Sequence, residues 1–390
     1  MTSRAASSSP PNLRRNVRDF RDVVVAGGGP AGSAAALALR RERPDLHVTV
    51  IEASRFEGWR AGETLAPGGR AILEGLGCWA HVRDACVRES YGTRAVWGSA
   101  EPYDNEFLFS TRGSAWQLDR RAFDAALLAA ASDAGAGVRL GTRLAGGSRA
   151  PDGTWRLTIV RDGVAAALDA RCVIDATGRG AHFASRQGAR RVFADRLVGL
   201  SLTWETGTDL DDATTMVEAC ADGWWYSAAL PNHRAVTCWM SDADLVRAQN
   251  LRDPACMLAH LGATRFTGAR VRDAVPCLPV RARSARSQQL LPVTGEGWVA
   301  AGDAAAAFDP LSSAGIVKAL HSGKLAAYTA LDMVRGDEQG RKKYERHAAR
   351  EYAEYLATRR HFYADERRWP DAPFWARRTG VAAAVEIGVA

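Results

Sequence analysis

Asp22-Val23-Val24-Val25-Ala26 is an unbroken β-branched run, the pattern of a strand covered on both faces. It passes directly into Gly27-Gly28-Gly29-Pro30-Ala31-Gly32 and an Ala/Leu-rich helical stretch that ends near Arg41. His47 to Ile51 reads as a second buried strand, and Glu52 at its end lies 20 residues beyond Gly32. The pattern is then more broken. Residues 66–87 read as helical with a Gly interruption, 92–110 as strands, 118–134 as an Ala/Leu-rich helix and 137–170 as short strands around turns. Arg171 to Ala176 is another buried strand. From about Gln187 to Arg283 longer alternating strands rich in Trp predict a mixed sheet with one face turned to a pocket. The first style returns with a strand at 297–301 and a helix at 313–334, followed by a charged, aromatic-studded helix at 341–368. On it Tyr344, Tyr352, Tyr355 and Phe362 fall near helical spacing and are expected in a core.

These elements predict an α/β protein: a Rossmann-like lobe, a second mixed-sheet substrate lobe and C-terminal helices. The expected boundaries are a disordered tail at 1–19, the first lobe at 20–186 with accessory strands near 90–112, the substrate lobe at 187–284, a return to the first lobe at 285–335 and a helical region at 336–390. Length agrees with two lobes, since 390 residues exceed the roughly 250–300 that one core serves. The net charge of +7 is spread over many arginines rather than massed in one block, which argues against a nucleic-acid partner. Seven cysteines with no CxxC pair point to reduced thiols, a cytoplasmic location and no metal site. No run of 18 apolar residues predicts a membrane span.

The glycines at 27, 29 and 32 permit a tight turn, close approach of backbone to a pyrophosphate and close packing of the helix. Glu52 is placed to bond a ribose hydroxyl. A nicotinamide dehydrogenase would continue in regular βαβ units, whereas this chain breaks off and returns to a second strand-Gly-Asp segment, Ala300 to Ala305. That arrangement favours FAD.

Gly302-Asp303, followed by Asp309-Pro310-Leu311-Ser312-Ser313-Ala314-Gly315-Ile316, resembles the second FAD motif of the flavin-dependent monooxygenases and halogenases of the p-hydroxybenzoate hydroxylase-like fold. The resemblance implies that Asp303 binds the ribityl chain and that a helix opening at Gly315 and Ile316 points its N-terminus at the flavin ring. Trp116 to Asp124 is similar to the family segment whose arginine, here Arg120, lies against FAD. Asp175-Ala176-Thr177-Gly178-Arg179 resembles the strand-end motif beside the cofactor, and Arg60 to Leu65 the Gly-Glu segment near the isoalloxazine. The cofactor set so implied is Gly27, Gly29, Gly32, Glu52, Arg60, Arg120, Gly302, Asp303, Gly315 and Ile316. Candidate catalytic positions are Glu63, Pro310 and Ser313, with His81, Glu89 and His233 as further acid or base candidates.

Halogenases carry a lysine where this chain has Ser90, and their Trp-x-Trp-x-Ile-Pro segment is only approximated by Gly223 to Pro231. The motifs are most similar to the flavoproteins that oxygenate a peptidyl tryptophan during tryptophylquinone formation. The implied reaction is hydroxylation of an electron-rich aromatic, an indole or tryptophan, through a flavin C4a-hydroperoxide. Electrons would come from NAD(P)H directly or through a separate flavin reductase, with O2 as co-substrate. Trp97, Trp224, Trp225 and Tyr226 are the candidate substrate-stacking residues, and an aromatic small molecule or peptide is the expected partner, with a flavin reductase as the other. A halogenase, an FAD-dependent isoprenoid reductase and a non-catalytic flavoprotein remain alternatives.

Overall fold

A computed structural model describes residues 20–379 apart from 61–63, 108–111 and 209–211. The expected tail and the candidate Glu63, with Gly62, lie outside the described residues.

The Val23–Val25 run is fully buried in the interior of a parallel sheet, where both faces are covered and no polar side is left for alternation. Phe20–Ala26 pairs in parallel with Val164–Asp175 on one side and Val48–Ile51 on the other. Trp298–Ala300 and Gly137–Arg139 extend the sheet in parallel at its two ends. The expected helical stretch at 66–87 is two short helices, Gly69–Gly75 and Trp79–Val82, and a strand begins at Cys86. Small residues decide the packing around the sheet. Ala31 to Leu39 of the first helix, Pro30–Glu42, are all buried, and they let the long helix Gly315–Arg335 pass close by.

A seven-stranded sheet forms the second layer, in the order 275–284, 197–205, 234–242, 223–230, 215–220, 92–96, 103–106. The strands at 92–96 and 103–106, expected as accessories of the first lobe, thus belong to the second. Thr93 to Val96 runs parallel to Thr215 to Glu218, a pairing across more than a hundred residues that no local pattern announces. A three-stranded sheet of 64–65, 115–118 and 86–90 lies between the lobes.

The C-terminal helix Gln339–Asp365 packs on both Gly315–Arg335 and the second sheet. Its Tyr344, Tyr352 and Tyr355 are buried as expected, whereas Phe362 is half exposed and Tyr363 takes the interior place. No helix among the described residues is long and apolar enough to cross a membrane.

Candidate functional site

A cavity of about 790 Å3 lies between the carboxyl ends of the parallel strands and the inner face of the seven-stranded sheet. Open α/β sheets bind their ligands at those strand ends. Ala26, Ile51, Ala176 and Ala301 mark four of them on the cavity wall.

The glycine turn explains itself atom by atom. Gly27 adopts φ +107°, and a Cβ there would sit 2.2 Å from the Ala176 carbonyl oxygen; at Gly32 it would sit 1.8 Å from the Gly27 oxygen. Gly29 differs, since a Cβ there meets nothing within 4 Å and would enter the cavity. It caps the first helix, whose opening turn has no acidic side chain to satisfy the exposed N–H groups. An anion in that space is stabilised by the helix terminus. Glu52 is fixed beside it: Oε2 accepts from Gly28 N–H at 2.7 Å, and Oε1 from Ser54 N–H and Oγ.

Arg60 and Arg120 converge on buried Asp124, at 3.0 and 3.1 Å, and Arg60 also donates to Ser54 Oγ. The cavity lining as a whole carries six arginines against four carboxylates, an excess that suits a diphosphate. Asp303 stands across the cavity, bonded by Lys318 Nζ at 2.8 Å and faced by Arg179 Nε at 3.5 Å. Burial pushes its carboxyl up, but Lys318 and Arg179 outweigh that and hold it below the ordinary value. Arg179 also donates to the carbonyls of Arg286 and Phe308, so the Asp175 to Arg179 strand end ties the two FAD-type segments together. Asp175 itself does not face the cavity; it accepts from Thr177, Phe183 and Ala184 N–H groups and caps the next helix.

The turn at 309–314 closes the far end. Asp309 caps Leu311 N–H, Ser313 takes φ +49°, and Gly315 then opens a long helix with no side-chain cap and no acid in its first turn. Pro310, Ser313, Gly315 and Ile316 all line the cavity. Opposite them, the second sheet presents Gly199, Ser201, Tyr226, Cys238, Met240 and Arg283. Tyr226 Oη lies 3.2 Å from Thr64 Oγ1.

The glycines 27 and 29, Glu52, Arg60, Arg120, Asp303, Gly315 and Ile316 are therefore brought together around one cavity, with Gly32 and Gly302 just behind its wall. Of the four aromatic candidates only Tyr226 reaches it. Trp97 and Trp224 are buried with Tyr363 and Trp375, Trp97 donating to the Phe362 carbonyl and Trp224 to Tyr363 Oη. Trp225 points to the opposite face and packs on Trp239. Strand alternation separates 224 from 225, and the C-terminal helix covers the ring of 224. His81 and Glu89 pair elsewhere, with Asp133 and Ser114, and His233 lies in a turn away from the cavity.

Sequence reasoning missed several residues of the site. Trp59 and Phe308 line the cavity, and Lys318 lies buried behind Asp303, donating as well to the Ala306 carbonyl and set over the Phe308 ring. Tyr355, Arg359 and Tyr363 clamp Asp309 from the C-terminal helix. Arg359 Nε approaches Asp309 Oδ2 at 3.1 Å, Tyr363 Oη donates to it at 2.8 Å, and Asp309 N–H donates to Tyr355 Oη. Their spacing of four residues puts all three on one helix face, a signal that the sequence carried.

Lys318→Met is expected to cost about 1–3 kcal/mol, less than the 3–5 typical of a fully buried pair because Asp303 opens onto the cavity. The sign with pH follows from the depressed carboxyl. Its contribution is present above about pH 4 and lost as pH falls through the folded-state value. Urea unfolding of both proteins from pH 7 to pH 3 should show the gap closing at the acid end. A gap independent of pH would exclude the ion pair as its source.

The comparisons with known proteins agree with this geometry. Residues 22–196 match the model of the FAD dependent oxidoreductases. LodB of Marinomonas mediterranea, named for an FAD-dependent oxidoreductase, is 30% identical over 368 residues, covering 93% of this chain and 98% of LodB. The flavin-dependent halogenase CmlS superposes with a TM-score of 0.81 at 26% identity, over 93% of this chain and 68% of CmlS. The peptidyl tryptophan dihydroxylase QhpG, essential for tryptophylquinone cofactor biogenesis, does so with 0.71 at 26% identity, over 93% of this chain and 79% of QhpG.

Proposed function

The chain belongs to the FAD-dependent oxidoreductases, and from that premise we propose that it is a monooxygenase that hydroxylates an electron-rich aromatic ring, an indole or a tryptophan within a peptide. The residues fit FAD: a cradle at Gly29 that a Cβ would fill, the Glu52 carboxylate on the cavity wall at the second strand's end, and the Asp303 carboxylate across the cavity. FAD held there would supply the redox chemistry between NAD(P)H, used directly or through a flavin reductase, and O2. One oxygen atom enters the ring and the other leaves as water.

The protein's share is to orient and to exclude water. The observation that carries the reading is the continuity of the dinucleotide cradle with a sheet face bearing Tyr226, Cys238 and Met240, a lining suited to a flat aromatic. The uncapped helix at Gly315 opens on the cavity and favours negative charge there. Ser90 supports hydroxylation over halogenation. It is fully buried and donates to the Ala213 carbonyl at 2.9 Å, so the position offers no amine.

The test is turnover of FAD-loaded protein with NADPH, or NADH plus a flavin reductase, on tryptophan-containing peptides and free indoles, with products read by mass. Gain of one or two oxygen atoms, labelled from 18O2 and unaffected by halide, is the expected result. A chloride- or bromide-dependent halogenated product overturns it, as does reduction of an isoprenoid double bond without O2 consumption.

A further inference from the structure

Away from the cavity, on the outer side of the two long helices, three ligand-type side chains converge that the flavin chemistry leaves unused. His321 projects from Gly315–Arg335, and His347 and Glu351 project from Gln339–Asp365. His347 and Glu351 are four residues apart, one turn along the same face. One donor atom from each of the three lies within 4.8 Å of the others. The two imidazoles face each other edge to face, with ring centroids 5.8 Å apart.

Two imidazoles and a carboxylate are the donor set of zinc and its transition-metal neighbours, not of magnesium or calcium. A tetrahedral zinc site needs donor separations of roughly 3.3 Å, given bonds of about 2.0–2.1 Å. Closing from 4.8 Å asks about 1.5 Å of the donor atoms, a distance within reach of a side-chain rotation of exposed His321. Among the described residues none of the three is engaged in a hydrogen bond or ion pair, so only the contact between the two rings has to change. Of the nearby cations Lys318 is neutralised by Asp303, and Lys324, on the same helix as His321, is the charge that opposes a metal. Solvent at exposed His321 supplies the fourth ligand as water.

We propose that His321, His347 and Glu351 form a binding site for one divalent transition-metal ion, zinc by its preference for this donor set, that fastens the Gly315 helix to the C-terminal helix. The location gives it a consequence. One helix begins at the cavity with Gly315 and Ile316, and the other carries the Tyr355, Arg359 and Tyr363 clamp on Asp309. An ion joining them stiffens the far wall of the cavity from outside, and it does so whether or not the hydroxylation reading holds.

The experiment uses the full FAD-loaded chain, stripped with a chelator and titrated with ZnCl2 by calorimetry and with CoCl2 by visible absorption. Saturation at one ion per chain, a cobalt spectrum of four-coordinate intensity and a higher melting temperature with zinc are expected. His321→Ala and His347→Ala should each weaken zinc about a hundredfold or more, since even partners of ligands cost 10–100-fold. His361→Ala, an exposed histidine elsewhere on the same helix, should leave it unchanged. If His347→Ala does not fold, His321→Asn at the exposed position gives the same reading. No saturable binding, or binding that survives the His321 substitution, overturns the site.

Discussion

Gly29→Val is expected to fold like the natural protein and to purify without flavin. At this residue φ is −75° and ψ −172°, an extended conformation that valine adopts readily, and the added Cβ touches no protein atom within 4 Å. Its branches instead occupy the space in which a pyrophosphate meets the first-helix N–H groups. The loss of that approach should weaken FAD at least about a hundredfold, or about 2.7 kcal/mol. Gly32→Val is the contrasting case. Its Cβ would lie 1.8 Å from the Gly27 oxygen, a backbone atom held by the turn, so the first helix must lift off the sheet. About 4 kcal/mol or more of stability should go with it. Urea unfolding followed by circular dichroism, together with flavin absorbance after dialysis, separates the two outcomes. A yellow Gly29→Val protein would remove the pyrophosphate from this turn, and a Gly32→Val protein of unchanged stability would contradict the close packing.

This contrast shows why the first lobe could be read from the chain. Strand, glycine turn and helix are consecutive, and Gly27 and Gly32 each answer to an atom a few residues away or across one parallel pairing, while Gly29 faces the cavity. Glu52 and Asp303 were legible for the same reason, as strand-end acids. The tryptophans were not. Trp97, Trp224 and Trp225 look alike in sequence, but alternation sends 225 to the outer face, and the ring of 224 is covered by Tyr363 from 139 residues away. The strands at 92–106 were placed in the wrong lobe because their partners at 215–218 lie far along the chain. Lys318 is one charge among several in a long helix of the sequence, and only the fold turns it inward onto Asp303. Phe362 and Tyr363 show the limit of periodicity: a shift of one residue decides which ring is buried, and the groups that receive Tyr363, Asp309 and the rings of Trp97 and Trp375, lie elsewhere in the chain.

Asp309→Ala should be the most disruptive single change outside the glycine turn. The carboxylate is buried, and it holds three things at once: the Leu311 N–H of the turn, the Arg359 guanidinium and the Tyr363 hydroxyl. Removing it leaves Arg359 buried with Asp195 as its remaining carboxylate at 3.0 Å, and frees the turn that carries Pro310 and Ser313. Breaking a buried charge pair on one side costs about 3–5 kcal/mol. Tyr363→Phe isolates the hydrogen-bond part. It keeps the ring, the ion pair and the turn cap, but cuts the chain from Trp224 Nε1 through Tyr363 Oη to Asp309, at about 1–2 kcal/mol. Burial and the Asp309 charge push the Tyr363 phenol well above its ordinary value, so this bond persists across the alkaline range in which the fold itself survives. Urea unfolding of the two variants should therefore rank them in that order, with flavin retention falling in Asp309→Ala and preserved in Tyr363→Phe. Equal losses in both would mean that the hydroxyl, not the carboxylate and its cation, sets the geometry of the turn. The C-terminal helix would then act on the cavity through the second-sheet core rather than through Arg359.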